Sequence, residues 1–161
     1  MLNFRKNISV KVIRTLIIDD EQPVRETLRN LLLRTCPQVN VVGEADSVAS
    51  GITAIREKAP ELLLLDIRMA DGTGFDLLEH YDNIPFRVIF VTAYEEYAIR
   101  AFSFSAIDYL LKPVNPEKLV NAVKRAEAIS RQAFNMQLEA LRDNLENIGN
   151  QNKKIILKNQ E

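Results

Sequence analysis

Short apolar segments alternate with amphipathic segments along most of the chain, and the pair repeats five times. The apolar segments do not alternate polar and apolar residues, so both faces of each strand are expected to be buried, as in a parallel sheet covered by helices on both sides. The sequence therefore predicts an α/β fold. The predicted strands span 12–18, 40–43, 62–65, 88–91 and 107–111, and the helices that follow them span 23–34, 47–58, 73–80, 95–102 and 116 onward.

Cap residues mark the start of two of these helices. Ser47 precedes the second helix and can accept a hydrogen bond from its first turn. Asn115 followed by Pro116 supplies an N-cap and a first residue whose fixed φ suits a helix. These residues set the expected starts of the second and fifth helices.

The fifth helix is expected to continue beyond residue 126, because apolar residues recur at alternating spacings of four and three, as in a heptad seam. Two interpretations remain open: the stripe packs on its own domain, or it belongs to a linker helix that dimerises. Gly149 and Asn150 are predicted to end the helix. The seam comprises Phe134, Leu138, Leu141, Leu145 and Ile148.

These patterns divide the chain into four parts. Residues 1–12 form an N-terminal extension, 13–127 form the globular domain, and 128–150 form the linker helix. Within 151–161, the sequence KKIILK is typical of an opening strand, so we interpret the chain as a fragment of a longer protein. With 161 residues, of which 47% are hydrophobic, the chain is long enough for one good core.

Composition excludes several classes of function. Lys and Arg together number 21 against 22 Asp and Glu, so no overall basic charge draws this chain to nucleic acid or to a membrane surface. No apolar run approaches the ~20 residues of a membrane span, and the first residues lack the apolar core of a signal peptide. Cys36 is the single cysteine, so no internal disulfide can form. We therefore expect a reduced, cytoplasmic location and no membrane partner.

Acidic side chains follow two of the predicted strands. Asp19, Asp20 and Glu21 come after the first strand, and Asp66 comes after the third. In an open parallel sheet, ligands bind beyond the carboxyl ends of the strands, near the point where the strand order reverses. Converging carboxylates repel one another unless a cation neutralises them, and hard oxygen ligands suit magnesium. The sequence therefore predicts a Mg²⁺ site.

A hydroxyl and an ammonium group follow two further strands. Thr92 comes after the fourth strand, and Lys112 comes after the fifth, directly before Pro113. A carboxylate nucleophile, cations for the equatorial oxygens and a hydroxyl donor are the groups that a phosphoryl ligand needs. Asp66, alone at its strand end, is the best candidate for the nucleophile. Each residue alone would be an ordinary loop residue, but the combination indicates phosphoryl chemistry.

Over roughly residues 14–125, these motifs resemble the receiver (CheY-like) domain of response regulators in two-component systems. The stretch FVTAYEEYA, with Ala101 and Phe102, resembles the LytTR-type (LytR/AlgR-like) subgroup. The resemblance implies a doubly wound, flavodoxin-like sheet of five parallel strands in the order 2-1-3-4-5, here with an extended C-terminal helix. The matching motifs are IIDDE at 17–21, LDIRM at 65–69, VTA at 91–93 and DYLLKP at 108–113.

The resemblance also implies how the site works. Asp20, Asp66 and the backbone carbonyl of Arg68 would ligate Mg²⁺, while Asp19 would act largely through a water molecule. Asp66 would accept a phosphoryl group from the phosphohistidine of a sensor histidine kinase. The chain would catalyse only its own phosphorylation and dephosphorylation, and is not expected to be an enzyme for other substrates.

Further residues receive roles from the same resemblance. Thr92 and Lys112 would bind the phosphoryl oxygens, and the peptide bond between Lys112 and Pro113 would be cis. Thr92 and Tyr109 would form the switch, in which the aromatic ring responds when the hydroxyl is drawn to the phosphoryl group. A half-buried strand aromatic with no switching role is the alternative for Tyr109.

Two positions flank the expected path of the hydrolytic water, and here they are Arg68 and Tyr94. Neither is a carboxylate or amide that positions water, and Tyr94 is bulky, so we expect slow self-dephosphorylation. The alternative is that Tyr94 lies flat on the surface. The sequence departs from many receivers at Ala70, where proline is frequent, but this departure removes none of the expected ligands.

The resemblance implies partners as well. The fourth helix, fifth strand and fifth helix would form the output surface, through which the chain is expected to form a homodimer on activation. DNA would be bound only through a LytTR-type domain whose start lies in 151–161, and the output would then be transcription. The mixed side chains expected near the output surface are Tyr97, Arg100, Asp108, Lys118 and Arg125.

Two rival functions compete with this interpretation. A phosphatase of the haloacid dehalogenase type would need Asp19 and Glu21 as nucleophile and acid, and would leave Asp66 without a specific role. A receiver-like interaction module that works without phosphorylation is the other. His80, the only histidine, is not expected to bind metal or relay phosphate, because no second imidazole accompanies it.

Overall fold

The five predicted strands pair into one parallel sheet in the computed structural model, which describes residues 12–158 and the side chains of 12–129, 136 and 139–152. The strands are β1 (Ile13–Ile18), β2 (Val39–Ala45), β3 (Leu62–Leu65), β4 (Arg68–Met69), β5 (Gly72–Thr73), β6 (Arg87–Thr92) and β7 (Asp108–Leu111). The helices are α1 (Gln22–Thr35), α2 (Val48–Lys58), α3 (Gly74–Leu78), α4 (Ala98–Ser103) and α5 (Pro116–Lys158), with a 3-10 turn at Glu95–Tyr97 before α4.

The sheet has the order β2-β1-β3-β6-β7, and all of its strand pairs are parallel. This is the expected order 2-1-3-4-5 once the two short strands β4 and β5 are left out of the count. The chain moves outward to β2 on one side of β1 and to β3, β6 and β7 on the other. The strand order therefore reverses beside β1 and β3, where an open parallel sheet usually binds its ligand.

Strand β3 shows why the strands are apolar on both faces. Leu63 and Leu65 belong to the core cluster that includes residues of α2, α3 and α4, whereas Leu62 and Leu64 belong to the cluster that includes residues of α1 and α5. All four are at most 1% exposed. Full burial of a leucine side chain stabilises a fold by roughly 1.5–3 kcal/mol, so both faces of the sheet contribute to stability.

The two predicted helix caps are confirmed. The Ser47 hydroxyl accepts a hydrogen bond from the Ser50 amide at 3.0 Å. In turn, the Ser50 hydroxyl accepts a hydrogen bond from the Ser47 amide. Asn115 Oδ1 accepts from the Lys118 amide at 3.1 Å, and α5 begins at Pro116. Each cap satisfies an amide that the first turn of a helix leaves without a partner.

A short antiparallel hairpin, β4 to β5, follows Asp66 and was not predicted. From its turn, the carboxylate of Asp71 accepts hydrogen bonds from the amides of Val48 at 2.8 Å and Ala49 at 3.0 Å, which lower the pKa of Asp71. Gly72 has a φ of 150°, which other residues rarely adopt. The loop after Asp66 is thus attached to the first turn of α2.

The C-terminal helix is longer than predicted. It continues through Gly149 to Lys158, so the predicted helix end at Gly149 and Asn150 and the predicted strand at 153–158 are wrong. Glycine in a helix interior costs only about 1 kcal/mol relative to alanine, which is too little to end a helix by itself. A strand needs a neighbour to pair its amides and carbonyls, whereas a helix pairs them internally.

The described chain divides into two compact units after Ala126. In the first unit, Leu119, Ala122, Val123 and Ala126 of α5 are fully buried in the core. Between residues 12 and 158, no helix combines the length and the apolar character required to cross a membrane.

Gly74 makes the tightest glycine contact, and it lies beneath Asp66. A Cβ atom at this position would lie 2.4 Å from the backbone oxygen of Asp66 and 3.0 Å from Cγ of Leu65. The Gly74 amide also donates to the carbonyl of Ile67 at 2.7 Å. A side chain at residue 74 cannot fit unless the backbone at Asp66 moves.

We expect Gly74→Ala to lower the free energy of unfolding by about 1–3 kcal/mol, which is typical of overpacking at a tightly packed position. Urea denaturation measures the change. Gly149→Ala is the matched control, because a Cβ atom at Gly149 meets no atom within 4 Å. The control should unfold at the wild-type urea concentration or above it; a wild-type midpoint for Gly74→Ala would contradict the prediction.

Candidate functional site

The polar residues predicted to follow the strands meet at the carboxyl edge of the sheet. Asp19 directly follows β1, Asp66 follows β3, Thr92 ends β6 and Lys112 follows β7. The Lys112 amide donates to the Thr92 carbonyl at 2.8 Å, which extends the pairing of β6 with β7 into the site. The fold therefore brings together residues that are up to 93 positions apart in the sequence.

The ammonium group of Lys112 is the centre of this site. Its Nζ lies 2.8 Å from Oδ2 of Asp19, 3.1 Å from Oδ2 of Asp66 and 3.6 Å from Oε1 of Glu21. The side chains of Lys112, Asp19 and Asp66 are only 13%, 1% and 5% exposed. Solvent and salt screen such enclosed charges less than surface pairs, so this lysine fixes the positions of both carboxylates.

Burial and charge act in opposite directions on the pKa values here. Burial alone would lower the pKa of Lys112, but hydrogen bonds and attraction from Asp19 and Asp66 outweigh it, so the pKa is raised. Burial raises the pKa of Asp19, and the contact with Lys112 offsets only part of this. The pKa of Asp20 is raised by burial and by the neighbouring charges of Asp19 and Glu21.

The cluster carries more negative than positive charge. Carboxylate oxygens of Asp19, Asp20, Glu21 and Asp66 all lie within 4.8 Å of one another. The ammonium group of Lys112 contacts three of these carboxylates, those of Asp19, Glu21 and Asp66. Hard carboxylate oxygens around a partly open pocket are the donors that Mg²⁺ prefers, and a divalent cation would relieve the excess charge. The residues present therefore fit a magnesium ion.

The Asp66 carboxylate is held through both of its oxygens. Oδ1 accepts a hydrogen bond from the Ile67 amide at 2.7 Å, and Oδ2 accepts one from Lys112 at 3.1 Å. The Asp66 amide donates to the carbonyl of Ile18 at 2.9 Å, which continues the β1 to β3 pairing. The carboxylate is thus fixed in orientation before any ligand arrives.

Arg68 and two tyrosines lie at the solvent side of the site. Arg68 Nη2 donates to the Tyr97 hydroxyl at 2.7 Å, and its guanidinium carbon lies 4.5 Å from the centroid of the Tyr94 ring. Arg68 and Tyr94 help to line a pocket of about 260 Å³, which is also lined by Asp66 and Lys112. Both residues expected to flank the hydrolytic water therefore do line the pocket, and they contact each other.

The backbone of Tyr94 connects the two predicted switch residues. Its amide donates to Oγ1 of Thr92 at 3.5 Å, and its carbonyl accepts a hydrogen bond from the Tyr109 hydroxyl. The Tyr109 ring is half-buried with its centroid 6.2 Å from that of Phe90, and burial raises the pKa of Tyr109 to about 12. Separately, the peptide bond between Lys112 and Pro113 is cis, as expected.

Four of the five side chains expected at the output surface have partners within the chain. Arg100 pairs with Glu79 at 3.3 Å, Asp108 pairs with Arg125, and Tyr97 is occupied by Arg68 as described. The side chain of Lys118 is exposed. Whether these residues also form a dimer interface stays a prediction.

Sequence reasoning missed the contacts by which three residues shape the site. Asp71 attaches the loop to α2, Gly74 leaves room beneath Asp66, and Tyr97 accepts the hydrogen bond from Arg68. The run DGTG at 71–74 indicated a turn but not its contacts. His80 is exposed, and its Nδ1 lies 2.9 Å from the carbonyl of Asp76, which is 4 residues earlier in the chain.

With this geometry established, comparison with known proteins identifies the family. The sequence-family model of the response regulator receiver domain matches residues 15–124. The chain belongs to the response regulator receiver family. The expected resemblance is thereby confirmed, and the receiver is a signalling domain rather than a metabolic enzyme.

Relatives of the receiver agree on the subgroup. An uncharacterized response regulatory protein of Vibrio parahaemolyticus is 47% identical over 133 residues, which are 81% of this chain and 54% of the relative. The sensory transduction protein LytT of Enterococcus faecalis is 43% identical over 73% of this chain and 49% of its own length. The chain thus spans about half the length of these relatives.

Solved receiver structures share the fold. The response regulatory domain of MrkE from Klebsiella pneumoniae has a TM-score of 0.68 at 23% identity, covering 74% of this chain and 99% of that one. The receiver domain of the putative response regulator NarL from Mycobacterium tuberculosis has a TM-score of 0.64 at 30% identity, and the match covers 73% of this chain and 98% of that one. The flavodoxin-like receiver fold is confirmed.

We expect Asp20→Asn to raise the melting temperature at neutral pH without Mg²⁺, because it removes one charge from a crowded acidic cluster. In the folded receiver the pKa of Asp20 lies above its ordinary value of 3.8, so its carboxylate destabilises the fold once the pH exceeds that raised pKa. The gain should therefore shrink as the pH falls through the raised pKa towards 3.8.

Thermal denaturation across this pH range, with and without Mg²⁺, checks the prediction. Mg²⁺ should raise the melting temperature of the wild type, because it binds the folded state, and should raise that of Asp20→Asn much less. Asp82→Asn, which removes an exposed carboxylate outside the cluster, is the control. Equal effects of Mg²⁺ on Asp20→Asn and the control would refute a metal site at Asp20.

Proposed function

We propose that this receiver is a magnesium-dependent phosphoacceptor, in which Asp66 takes a phosphoryl group from the phosphohistidine of a sensor histidine kinase. The observation that carries the proposal is the Asp66 carboxylate itself. It is nearly buried, fixed by the Ile67 amide and by Lys112, and surrounded by further carboxylates. A structural role alone does not require so many like charges in one place.

In the proposed reaction, an oxygen of Asp66 attacks the phosphorus atom. A P–O bond forms as the P–N bond to the imidazole breaks, and the electron pair of the broken bond stays on the imidazole nitrogen. Lys112 and the hydroxyl of Thr92 bind the phosphoryl oxygens. Mg²⁺ held by Asp20, Asp66 and the backbone carbonyl of Arg68 would neutralise the charge on those oxygens.

Asp19 completes this arrangement through its contact with Lys112. Its Oδ2 contacts the ammonium at 2.8 Å, and its Oδ1 accepts a hydrogen bond from the Glu21 amide at 2.9 Å. A carboxylate with both oxygens engaged in this way suits the expected role, in which Asp19 reaches Mg²⁺ through a water molecule. It also restrains Lys112 near the position of the phosphoryl group.

The proposed switch uses the contacts of the Tyr94 backbone. When the Thr92 hydroxyl turns towards a phosphoryl oxygen, its contact with the Tyr94 amide changes, and the carbonyl of the same residue accepts from Tyr109. Phosphorylation would thereby act on the surface of α4, β7 and α5. Ile99 and Phe102 of α4 are 86% and 68% exposed there, which suits a homodimer on activation.

In this proposal, the output of the switch comes from a further domain that is joined to the receiver. The relatives named LytT are about twice as long as the matched region, which supports a LytTR-type DNA-binding domain and control of transcription. A cytoplasmic location follows from the same proposal, because the kinase and the DNA are both there.

Incubation with acetyl phosphate and Mg²⁺, followed by intact mass measurement, tests the acceptor role. We expect the wild type to gain one phosphoryl group, Asp66→Ala to gain none, and the gain to disappear when EDTA removes Mg²⁺. Asp82→Asn is the control and should be phosphorylated normally. If neither acetyl phosphate nor a cognate kinase labels the wild type, the chain is an interaction module that works without phosphorylation.

The contact between Arg68 and Tyr94 predicts slow loss of the phosphoryl group, because the stacked side chains narrow the path of water to Asp66. We expect Tyr94→Ala to speed dephosphorylation by about tenfold, which corresponds to ~1.4 kcal/mol of activation barrier. Release of phosphate from the purified phosphorylated chain gives the rate. Leu33→Ala removes a side chain of α1 that is 80% exposed and lies outside both the pocket and the surface of α4, β7 and α5, and it serves as the control. A wild-type half-life of seconds would contradict slow loss.

A further inference from the structure

The C-terminal part of α5 presents an apolar stripe to solvent. Leu141, Leu145 and Ile148 are 57%, 62% and 55% exposed, and they lie at spacings of four and three along a helix that continues to Lys158. A stripe with an average spacing of 3.5 residues is the seam of a coiled coil, whereas a helix packed on a globular core usually has a wider apolar face. The stripe is therefore suited to a second helix.

We propose that residues 134–155 pair with the same segment of a second copy of the chain as a parallel, in-register, two-stranded coiled coil. This inference goes beyond the phosphoacceptor function and does not rest on it: the segment would pair two copies before phosphorylation, and the contact proposed for the surface of α4, β7 and α5 would form only on activation. In heptad terms, the a positions are Leu138, Leu145 and Asn152, and the d positions are Phe134, Leu141, Ile148 and Ile155.

The flanks of the seam allow close approach of an identical helix. Between residues 137 and 151, the e and g positions carry a single charge, that of Arg142. Two copies therefore meet without rows of like charge facing each other, which would otherwise oppose pairing. The remaining flanking residues are Gln137, Asn144, Gly149 and Gln151.

Apart from Arg142, the charged residues between 134 and 155 fall on the side of the heptad pattern opposite to the seam. They occupy the b, c and f positions, which face away from a coiled-coil partner. Three of them are acidic and precede the basic pair at 153–154, so the outer face suits water better than an anionic membrane surface. These residues are Glu139, Asp143, Glu146, Lys153 and Lys154.

Asn152 specifies the orientation and register. A lone asparagine at an a position leaves an amide in the seam, and a buried amide without a partner is costly. In a parallel, in-register pair, Asn152 faces Asn152 of the second copy, and the two amides can hydrogen-bond. An antiparallel or shifted pair would instead place the amide against an apolar residue such as Leu141 or Ile148.

The glycine at residue 149 is a further reason to expect that this helix packs against a second helix. Glycine disfavours a helix interior, and isolated helices are only marginally stable in water, because most helical stability in proteins comes from packing of the apolar face. A Cβ atom at Gly149 would meet no atom of the described residues within 4 Å, so no close contact among those residues requires a glycine here. Pairing of the seam would stabilise the helix on both sides of Gly149.

Disulfide cross-linking of the full 161-residue chain tests orientation and register. Ile148→Cys at a d position would lie opposite its own copy, whereas Asn147→Cys at a c position would face outward. Both variants carry Cys36→Ala, which removes the only native cysteine, and Asp66→Asn, which keeps the chain unphosphorylated. We expect mild oxidation to give a covalent dimer with Ile148→Cys and none with Asn147→Cys; equal yields from the two, or no dimer with either, would overturn the proposal.

Sedimentation equilibrium measures the pairing without cross-links. Leu145→Glu should raise the dimer dissociation constant by ~100-fold or more, because two carboxylates would enter the seam. Asn147→Glu introduces the same charge on the outer face and should leave the constant unchanged. Equal dissociation constants for the two variants, or a monomeric wild type, would overturn the proposal even if Asp66 accepts phosphate; dimers that persist when Asp66 cannot be phosphorylated would support it on its own.

Discussion

The ammonium group of Lys112, enclosed between the carboxylates of Asp19 and Asp66, determines the geometry of the site. Opposite charges about 4 Å apart near a protein surface attract by roughly 4 kcal/mol, but taking them out of water costs energy as well. The contact therefore serves mainly to fix positions. This one cation, together with the backbone hydrogen bonds between neighbouring strands, holds the strand ends that contribute site residues in their relative positions.

The balance of charge around Lys112 has a second effect. One ammonium cannot neutralise four neighbouring carboxylates. Burial, together with repulsion from neighbouring carboxylates, raises the pKa values of Asp19 and Asp20, so the folded domain retains an electrostatic penalty at neutral pH. A site optimised only for stability would not keep this penalty. In the proposed function, a divalent ion would neutralise this excess negative charge and so allow an anionic phosphoryl group to bind beside it.

The sequence was sufficient to predict the sheet and the strand-end residues, because two physical regularities apply. Strands covered on both faces are apolar throughout, and the carboxyl ends of parallel strands meet at one edge. Residues such as Asp66 and Thr92 could thus be placed together without knowledge of their contacts. The caps of α2 and α5 depend on residues within one helical turn, so they too were predictable.

What could not be predicted depends on contacts between distant segments or on very short elements. Strands of two residues, as in β4 and β5, show no periodicity. The hydrogen bonds from Val48 and Ala49 to Asp71 join residues more than twenty positions apart. At Gly149, local propensity suggested a helix end, but propensity alone is a weak criterion when good helix formers surround a glycine.

The position of Tyr94 has a consequence for how such a receiver can diversify. Its main chain touches both Thr92 and Tyr109, whereas its side chain lies against Arg68 at the mouth of the pocket. Since every amino acid except proline offers the same amide and carbonyl, substitution here leaves the route of communication intact. Under the proposed function, the duration of the phosphorylated state and the transmission of the signal could then be adjusted independently, although both would depend on this one residue.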